Sequence, residues 1–87
     1  MQIVQYMPHP RYKITVFKSG RRYIVKFDDA DHDLSLKFRE GEVDGLKDVV
    51  SQVNQELLEE IDQVFETLSS FRMSRYQRSS KRFPDII

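Results

Sequence analysis

The chain has 87 residues, 14 of them basic and 14 acidic, so its formal net charge is zero. Its length allows one small domain (1–87), and its composition, 32% charged and 39% hydrophobic, is typical of a soluble globular protein, which we expect in the cytoplasm. Because the sequence has no cysteine, no long apolar run and no secretory signal at its start, it argues against disulfides, thiolate chemistry, zinc ribbons and membrane insertion.

The charges are distributed unevenly along the chain. Residues 1–40 carry eight basic and five acidic side chains, a net charge of +3. Residues 41–71 carry one lysine against eight acids, a net charge of −7, and residues 72–87 carry five cations against one acid, a net charge of +4. Asymmetry of this kind bears on the choice of partner more than on the fold.

The first half of the sequence predicts an antiparallel sheet. Residues 2–7 alternate weakly and are a candidate edge strand, with the prolines at 8 and 10 in the following connection. Residues 12–39 form a three-stranded meander by their alternation of apolar and polar side chains. A two-residue turn at Ser19–Gly20 would place Val16 opposite Tyr23 and Ile14 opposite Val25. One face of the sheet, the core face, is then entirely apolar and consists of Tyr12, Ile14, Val16, Tyr23, Val25, Phe27, Leu34, Leu36 and Phe38.

The second half predicts one long helix over 45–78, with Asp44 as its N-cap and a tail over 79–87. Such a helix would extend about 50 Å, whereas a six-residue strand extends about 20 Å. We therefore expect either a break near Ser69–Ser70 or packing of the far half on a second molecule. The latter favours a homodimer whose interface contains Val64, Phe65, Leu68 and Phe71. The predicted fold class is thus α+β, a three- or four-stranded antiparallel meander followed by one long C-terminal helix.

The order of four strands and a helix is similar to the repeat of PUR-type single-strand-binding proteins, which also dimerise through helices. The resemblance is one of element order, without a shared motif, so no functional residue is transferred from that family.

The opposite face of the predicted sheet, the outer face, is rich in cations. It presents five basic residues among nine, together with Phe17, and three strands contribute no acid to it. Cations that follow phosphates beside an aromatic ring are typical of platforms for single-stranded nucleic acid. The candidate contacts, including two arginines of the basic C-terminal segment, are Lys13, Phe17, Arg22, Lys26, Lys37, Arg39, Arg75 and Arg78. The alternatives are a solvated sheet face and cations that favour the helix dipole.

The remaining chemical motifs are weak. Asp29, Asp31, Asp33 and Glu40 match the spacing of a calcium loop, but position 6 of that loop is Leu34 instead of glycine. The stretch up to Glu40 is also predicted to be a strand, so a solvated turn is the better interpretation, and we expect no metal site. His9 and His32 lack an evident nucleophile, and we expect neither a cofactor nor enzymatic activity.

Two function classes follow from the sequence. The favoured one is a non-catalytic, dimeric protein-interaction or structural module. The alternative is a domain that binds single-stranded nucleic acid through the outer face and the arginines of the C-terminal segment.

Overall fold

The computed structural model describes the backbone of residues 1–86 and the side chains of residues 1–75. The chain divides into two compact units, Met1–Asn54 and Gln55–Ile87. The first unit contains four strands and one helix, and the second contains one long helix, which confirms the α+β class. The elements are β1 (Gln2–Met7), β2 (Lys13–Ser19), β3 (Arg22–Asp28), β4 (Asp33–Arg39), α1 (Gly45–Gln52) and α2 (Gln55–Ile86).

The four strands form one antiparallel sheet in the order β1-β2-β3-β4, so residues 2–7 are the predicted edge strand. The predicted pairing of β2 with β3 is wrong by two residues, because Val16 lies opposite Val25 and Ile14 lies opposite Phe27. The turn is Gly20–Arg21, with Gly20 at a φ of +60° and Arg21 at a negative φ. A glycine at the first turn position matches a type II′ hairpin. A shift of two residues leaves each side chain on its face, so the predicted faces are correct.

The core face of the sheet is the apolar face predicted from the sequence. Six of its nine side chains are buried, and those of Leu34, Leu36 and Phe38 on β4 are half-buried. Val16, Val25, Phe27 and, on α1, Val49 are almost completely inaccessible to solvent. Burial of each apolar side chain of this size contributes about 1.5–3 kcal/mol, so these residues stabilise the first unit.

The predicted single helix over 45–78 is two helices, separated at Val53–Asn54. The N–H of Val53 donates to the carbonyl oxygen of Val50 at 3.1 Å and closes the last turn of α1. Asn54 precedes the first residue of α2, and asparagine is among the preferred residues at a helix N-cap. The sequence contains no glycine or proline at this position, so the apolar periodicity alone predicts one continuous helix.

The helix does not break near Ser69–Ser70, since α2 continues through these residues and through Ser79–Ser80 to Ile86. The hydroxyl of Ser70 donates to the carbonyl of Glu66 at 3.1 Å, and that of Thr67 donates to the carbonyl of Gln63 at 3.0 Å. Bonds of this type provide an acceptor for each hydroxyl inside the helix, although they slightly destabilise it. The tail predicted for 79–87 is therefore helical as far as Ile86.

Asp44 occupies the N-cap position of α1, as predicted, but its side chain makes no capping hydrogen bond. Instead the backbone N–H of Asp44 donates to the carboxylate of Asp48 at 2.7 Å. This hydrogen bond is the main cause that holds the pKa of the Asp48 carboxyl below its ordinary value. The N-terminus of α1 is thus stabilised by an acid one turn inside the helix.

Candidate nucleic-acid interface

The strand register places the candidate outer-face residues other than Lys13 in three transverse rows. Residues directly opposite each other on neighbouring strands project from the same face of a sheet. The first row is Ser19, Arg22 and Arg39; the second is Ile3, Phe17, Ile24 and Lys37; the third is Tyr6, Thr15, Lys26 and Ser35. The sheet therefore brings Phe17, Arg22, Lys26, Lys37 and Arg39 together on one surface.

The pairing of β1 with β2, which contains a β-bulge, places two residues on this surface that were not assigned to it from the sequence. Ile3 lies opposite Phe17, and Gln5 lies opposite Val16, so Val4 is the extra residue. In a regular strand, residues 3 and 6 would project from opposite faces, but the bulge turns both Ile3 and Tyr6 to the outer face. The sequence carries a weak signal of the bulge, since the adjacent apolar residues Ile3 and Val4 interrupt the polar alternation of β1 between Gln2 and Gln5.

The middle of the outer face is apolar and partly accessible. Ile3 is 46% exposed and Tyr6 is 57% exposed, whereas Phe17 and Ile24 are half-buried. Thr15, between Tyr6 on β1 and Lys26 on β3, is only 3% exposed. The outer face therefore presents two aromatic rings, one more than the sequence predicted, next to an aliphatic surface.

The cations of the outer face surround this apolar centre. Lys13, Arg22, Lys37 and Arg39 are exposed, and Lys26 is half-buried. The ammonium of Lys13 lies 5.7 Å from the centre of the Tyr6 ring, within the range of a cation–π interaction. The ammonium of Lys26 lies 3.7 Å from a carboxylate oxygen of Asp28. The cations thus lie where they can contact successive phosphates of a nucleic-acid backbone that crosses the aromatic surface.

The prediction that this face carries no acid is wrong. β3 and β4 extend to Asp28 and Asp33, which pair with each other, and Asp28 also lies opposite Lys13. The three residues form a fourth row on the outer face, whose two carboxylates partly neutralise Lys13 and Lys26. The net positive charge is therefore concentrated at the opposite end of the face, around Arg22, Lys37 and Arg39.

The candidate residues of α2 are only partly described. Arg75 is exposed, whereas Arg78 lies outside the residues whose side chains the structure describes. Of the four predicted interface residues, Val64 is 39% and Phe71 is 61% exposed, and Leu68 is half-buried. Phe65 is only 4% exposed within a single chain, so it retains little surface for a partner.

The aspartate-rich connection between β3 and β4 is a hydrogen-bonded turn. One carboxylate oxygen of Asp29 accepts from the N–H groups of Asp31 and His32, at 2.8 and 2.7 Å. The Asp31 N–H is the main cause that lowers the pKa of the Asp29 carboxyl, and the N–H and ring of His32 act in the same direction. Among the described residues, no group of three or more histidine or acidic side chains is arranged to hold a metal ion.

His9 has a structural environment in the connection between β1 and β2. Its Nδ1 accepts from the N–H groups of Arg11 and Tyr12, at 3.1 and 3.3 Å. Its ring stacks on that of Tyr12, with 4.9 Å between centres and an angle of 15°. A ring nitrogen that accepts hydrogen bonds carries no proton, so these contacts orient the ring and favour its Nε2–H tautomer.

Within the part of the chain that the structure describes, no helix is both long and apolar enough to cross a membrane. Comparison of the chain with protein-family models, with curated proteins and with solved structures finds no match.

Proposed function

We propose that this protein is a non-catalytic module that binds single-stranded nucleic acid on the outer face of its sheet. The observation that carries the proposal is the pairing of β1 with β2, because with its bulge it places both Ile3 and the exposed ring of Tyr6 on the surface that holds Phe17 and the cations. Accessible rings can stack on bases, while neighbouring lysines and arginines bind phosphates.

The arrangement of the rows indicates how a strand would lie. Tyr6 and Phe17 are on the neighbouring strands β1 and β2, and Arg22, Lys37 and Arg39 are on β3 and β4. Bases would stack over the β1–β2 side, and phosphates would follow the cations of the β3–β4 side. The half-buried Ile24 lies between them and excludes water without competing for hydrogen bonds.

This binding mode favours sequence tolerance over base specificity. The face offers rings, aliphatic groups and cations, whereas its short polar side chains are Thr15, which is buried, and Ser19 and Ser35 near its edges. Stacking on aromatic rings accepts every base, and contacts with phosphates carry no sequence information.

The experiment is a titration of a fluorescent single-stranded oligonucleotide, followed by anisotropy at low salt. Wild-type protein should raise the anisotropy, and the triple variant Arg22→Glu, Lys26→Glu and Lys37→Glu should not. The control is Lys47→Glu, since Lys47 is an exposed cation on α1. A flat titration with folded wild-type protein at tens of micromolar would refute the proposal.

The aromatic contribution is tested separately. Tyr6→Leu and Phe17→Leu keep an apolar side chain but remove the ring, so each should weaken binding by about 1–3 kcal/mol, the usual contribution of one stacked base. Circular dichroism checks that each variant is folded. Unchanged affinity in both variants would exclude stacking on this face.

Self-association through α2 is a second candidate function, supported by a different observation. Val64, Leu68 and Phe71 follow one another at intervals of four and three residues, the spacing of a coiled-coil seam. Val64 and Phe71 are also among the large apolar residues that remain exposed in a single chain. We propose that a second copy of α2 covers this seam, which would make the protein a dimeric interaction module.

A further inference from the structure

Three arginines meet at the basic end of the outer face. Arg21 in the β2–β3 turn and Arg22 and Arg39 in the first transverse row line an open depression of about 500 Å³, together with Glu40 and Gly41. We name this feature the arginine depression. Its volume falls within the range of small-molecule sites in proteins, so it has room for a nucleotide end.

The pairing of Arg22 with Arg39 calls for an explanation. The two residues lie directly opposite each other on β3 and β4, so both side chains project from the same face. Like charges in this arrangement destabilise a sheet. The unfavourable pair is explained if an anion binds between the two guanidinium groups and neutralises them.

The backbone around the arginine depression is held in place. The N–H of Glu40 donates to the carbonyl of Arg21 at 2.8 Å, and the N–H of Glu42 donates to the carbonyl of Arg39 at 2.9 Å. The segment 40–42 thus connects the β2–β3 turn to the end of β4. The three arginines consequently project from backbone that is already positioned in the free protein, which lowers the entropic cost of binding.

We propose that the arginine depression binds a phosphate monoester, the terminal phosphate of a single strand that crosses the outer face. Three guanidinium groups and the carboxylate of Glu40 give the site a net charge of +2, which matches the charge of about −1.5 to −2 of a phosphate monoester. A phosphodiester, with one negative charge, would leave the site partly unneutralised. Guanidinium groups also bind two phosphate oxygens at once.

This inference rests on the proposed function only in naming a nucleic-acid strand as the source of the phosphate. The binding of a phosphate monoester by the three arginines does not depend on it. The terminal phosphate could come from a bound strand or from a free phosphate compound. The probes are therefore an oligonucleotide with a phosphate at its 5′ or 3′ end, the same oligonucleotide with hydroxyl ends, and pyrophosphate alone.

For wild-type protein, the affinity for one of the phosphorylated oligonucleotides should exceed that for the hydroxyl form by about tenfold, the usual effect of a hydrogen bond to a charged group. The double variant Arg21→Gln and Arg39→Gln should lose this ratio, and the control Lys47→Gln should keep it. The inference would be overturned if wild-type protein bound the 5′- and 3′-phosphorylated oligonucleotides no more tightly than the hydroxyl form, or if the double variant kept the wild-type ratio of affinities. Either result would leave the proposed function in place.

Pyrophosphate separates the two proposals. If oligonucleotides do not bind but pyrophosphate shifts the NMR signals of residues 21, 22 and 39–41, the proposed function fails and the site takes a free phosphate compound. If pyrophosphate shifts neither these signals nor any others and the oligonucleotide ratio is one, the arginine depression is not a phosphate site.

Discussion

Single residues organise two of the three connections between the strands of the sheet, β2–β3 and β3–β4. Asp29 accepts two backbone N–H groups within its turn, and Gly20 supplies the positive φ of the tighter turn between β2 and β3. Residue composition thus predicts that a turn is present. The register of the two flanking strands depends, in addition, on which residue occupies each position of that turn. The aspartates of 28–33 suggested a turn, but only the structure shows that Asp29 is the residue that organises it.

Stability should depend on pH through Asp29. Because the pKa of Asp29 is lowered in the folded protein, the stabilisation is complete above the ordinary pKa of an aspartate, about 4. It is lost as the pH falls through the lowered value. The midpoint temperatures of thermal unfolding of the wild type and of Asp29→Ala should differ by a constant amount above about pH 5. At pH 3 this difference should be smaller. A difference that stays constant down to pH 3 would contradict the assigned role.

Substitution of Gly20 tests the turn between β2 and β3. A Cβ atom at Gly20 would meet no other atom within 4 Å, so the cost of Gly20→Ala comes from the positive φ alone. We expect a loss of about 1–2 kcal/mol in the free energy of unfolding, measured with urea. Gly41→Ala is the matched control, since Gly41 also has free space around it but no positive φ. Equal effects of the two substitutions would argue against the turn type.

At the level of elements, alternation and periodicity predicted the strands but not where the helical half divides. The core-face residues are apolar at every second position, and this pattern is independent of a two-residue error in register. The boundary at Val53–Asn54 interrupts a continuous apolar periodicity and is marked by neither glycine nor proline. The bulge at Val4 depends on the pairing of β1 with β2, so it cannot be deduced from β1 alone.

Asn54 provides a prediction about the boundary between the helices. If Asn54 caps α2, Asn54→Ala should lower the free energy of unfolding by about 0.5–2 kcal/mol, whereas Asn54→Asp, which retains a capping oxygen, should change it little. Helix content from circular dichroism should fall in the alanine variant. An alanine variant as stable as wild type would show that the boundary does not depend on a cap.

At the level of the whole molecule, the apolar seam of α2 predicts a dimer. Wild-type protein should have twice its chain mass of 10.4 kDa in light scattering after size exclusion. Val64→Asp with Phe71→Asp should produce a monomer, because two charges would be buried in the seam. Met73→Asp is the control, since Met73 is 64% exposed but lies two residues from Phe71, about half a turn around the helix. A monomeric wild type at micromolar concentration would exclude the dimer.

The zero net charge of the chain conceals the surface on which the proposed function depends. The outer face combines exposed cations with two aromatic rings, and the two acids of its strands, Asp28 and Asp33, lie at one end. The sequence predicted the cations and Phe17, because alternation assigns them to one face. It could not predict Tyr6 together with Ile3 on that face, because strict alternation places only one of them there and the bulge places both.

The most direct test is the salt dependence of oligonucleotide binding. Release of counterions from about three to five phosphates predicts that the logarithm of the binding constant falls with the logarithm of the salt concentration with a slope of about −2 to −3.5. The variant Arg22→Glu and Lys37→Glu should weaken binding and flatten the slope. Binding with a slope near zero, or a slope unchanged in that variant, would contradict recognition of nucleic acid by the cations of the outer face.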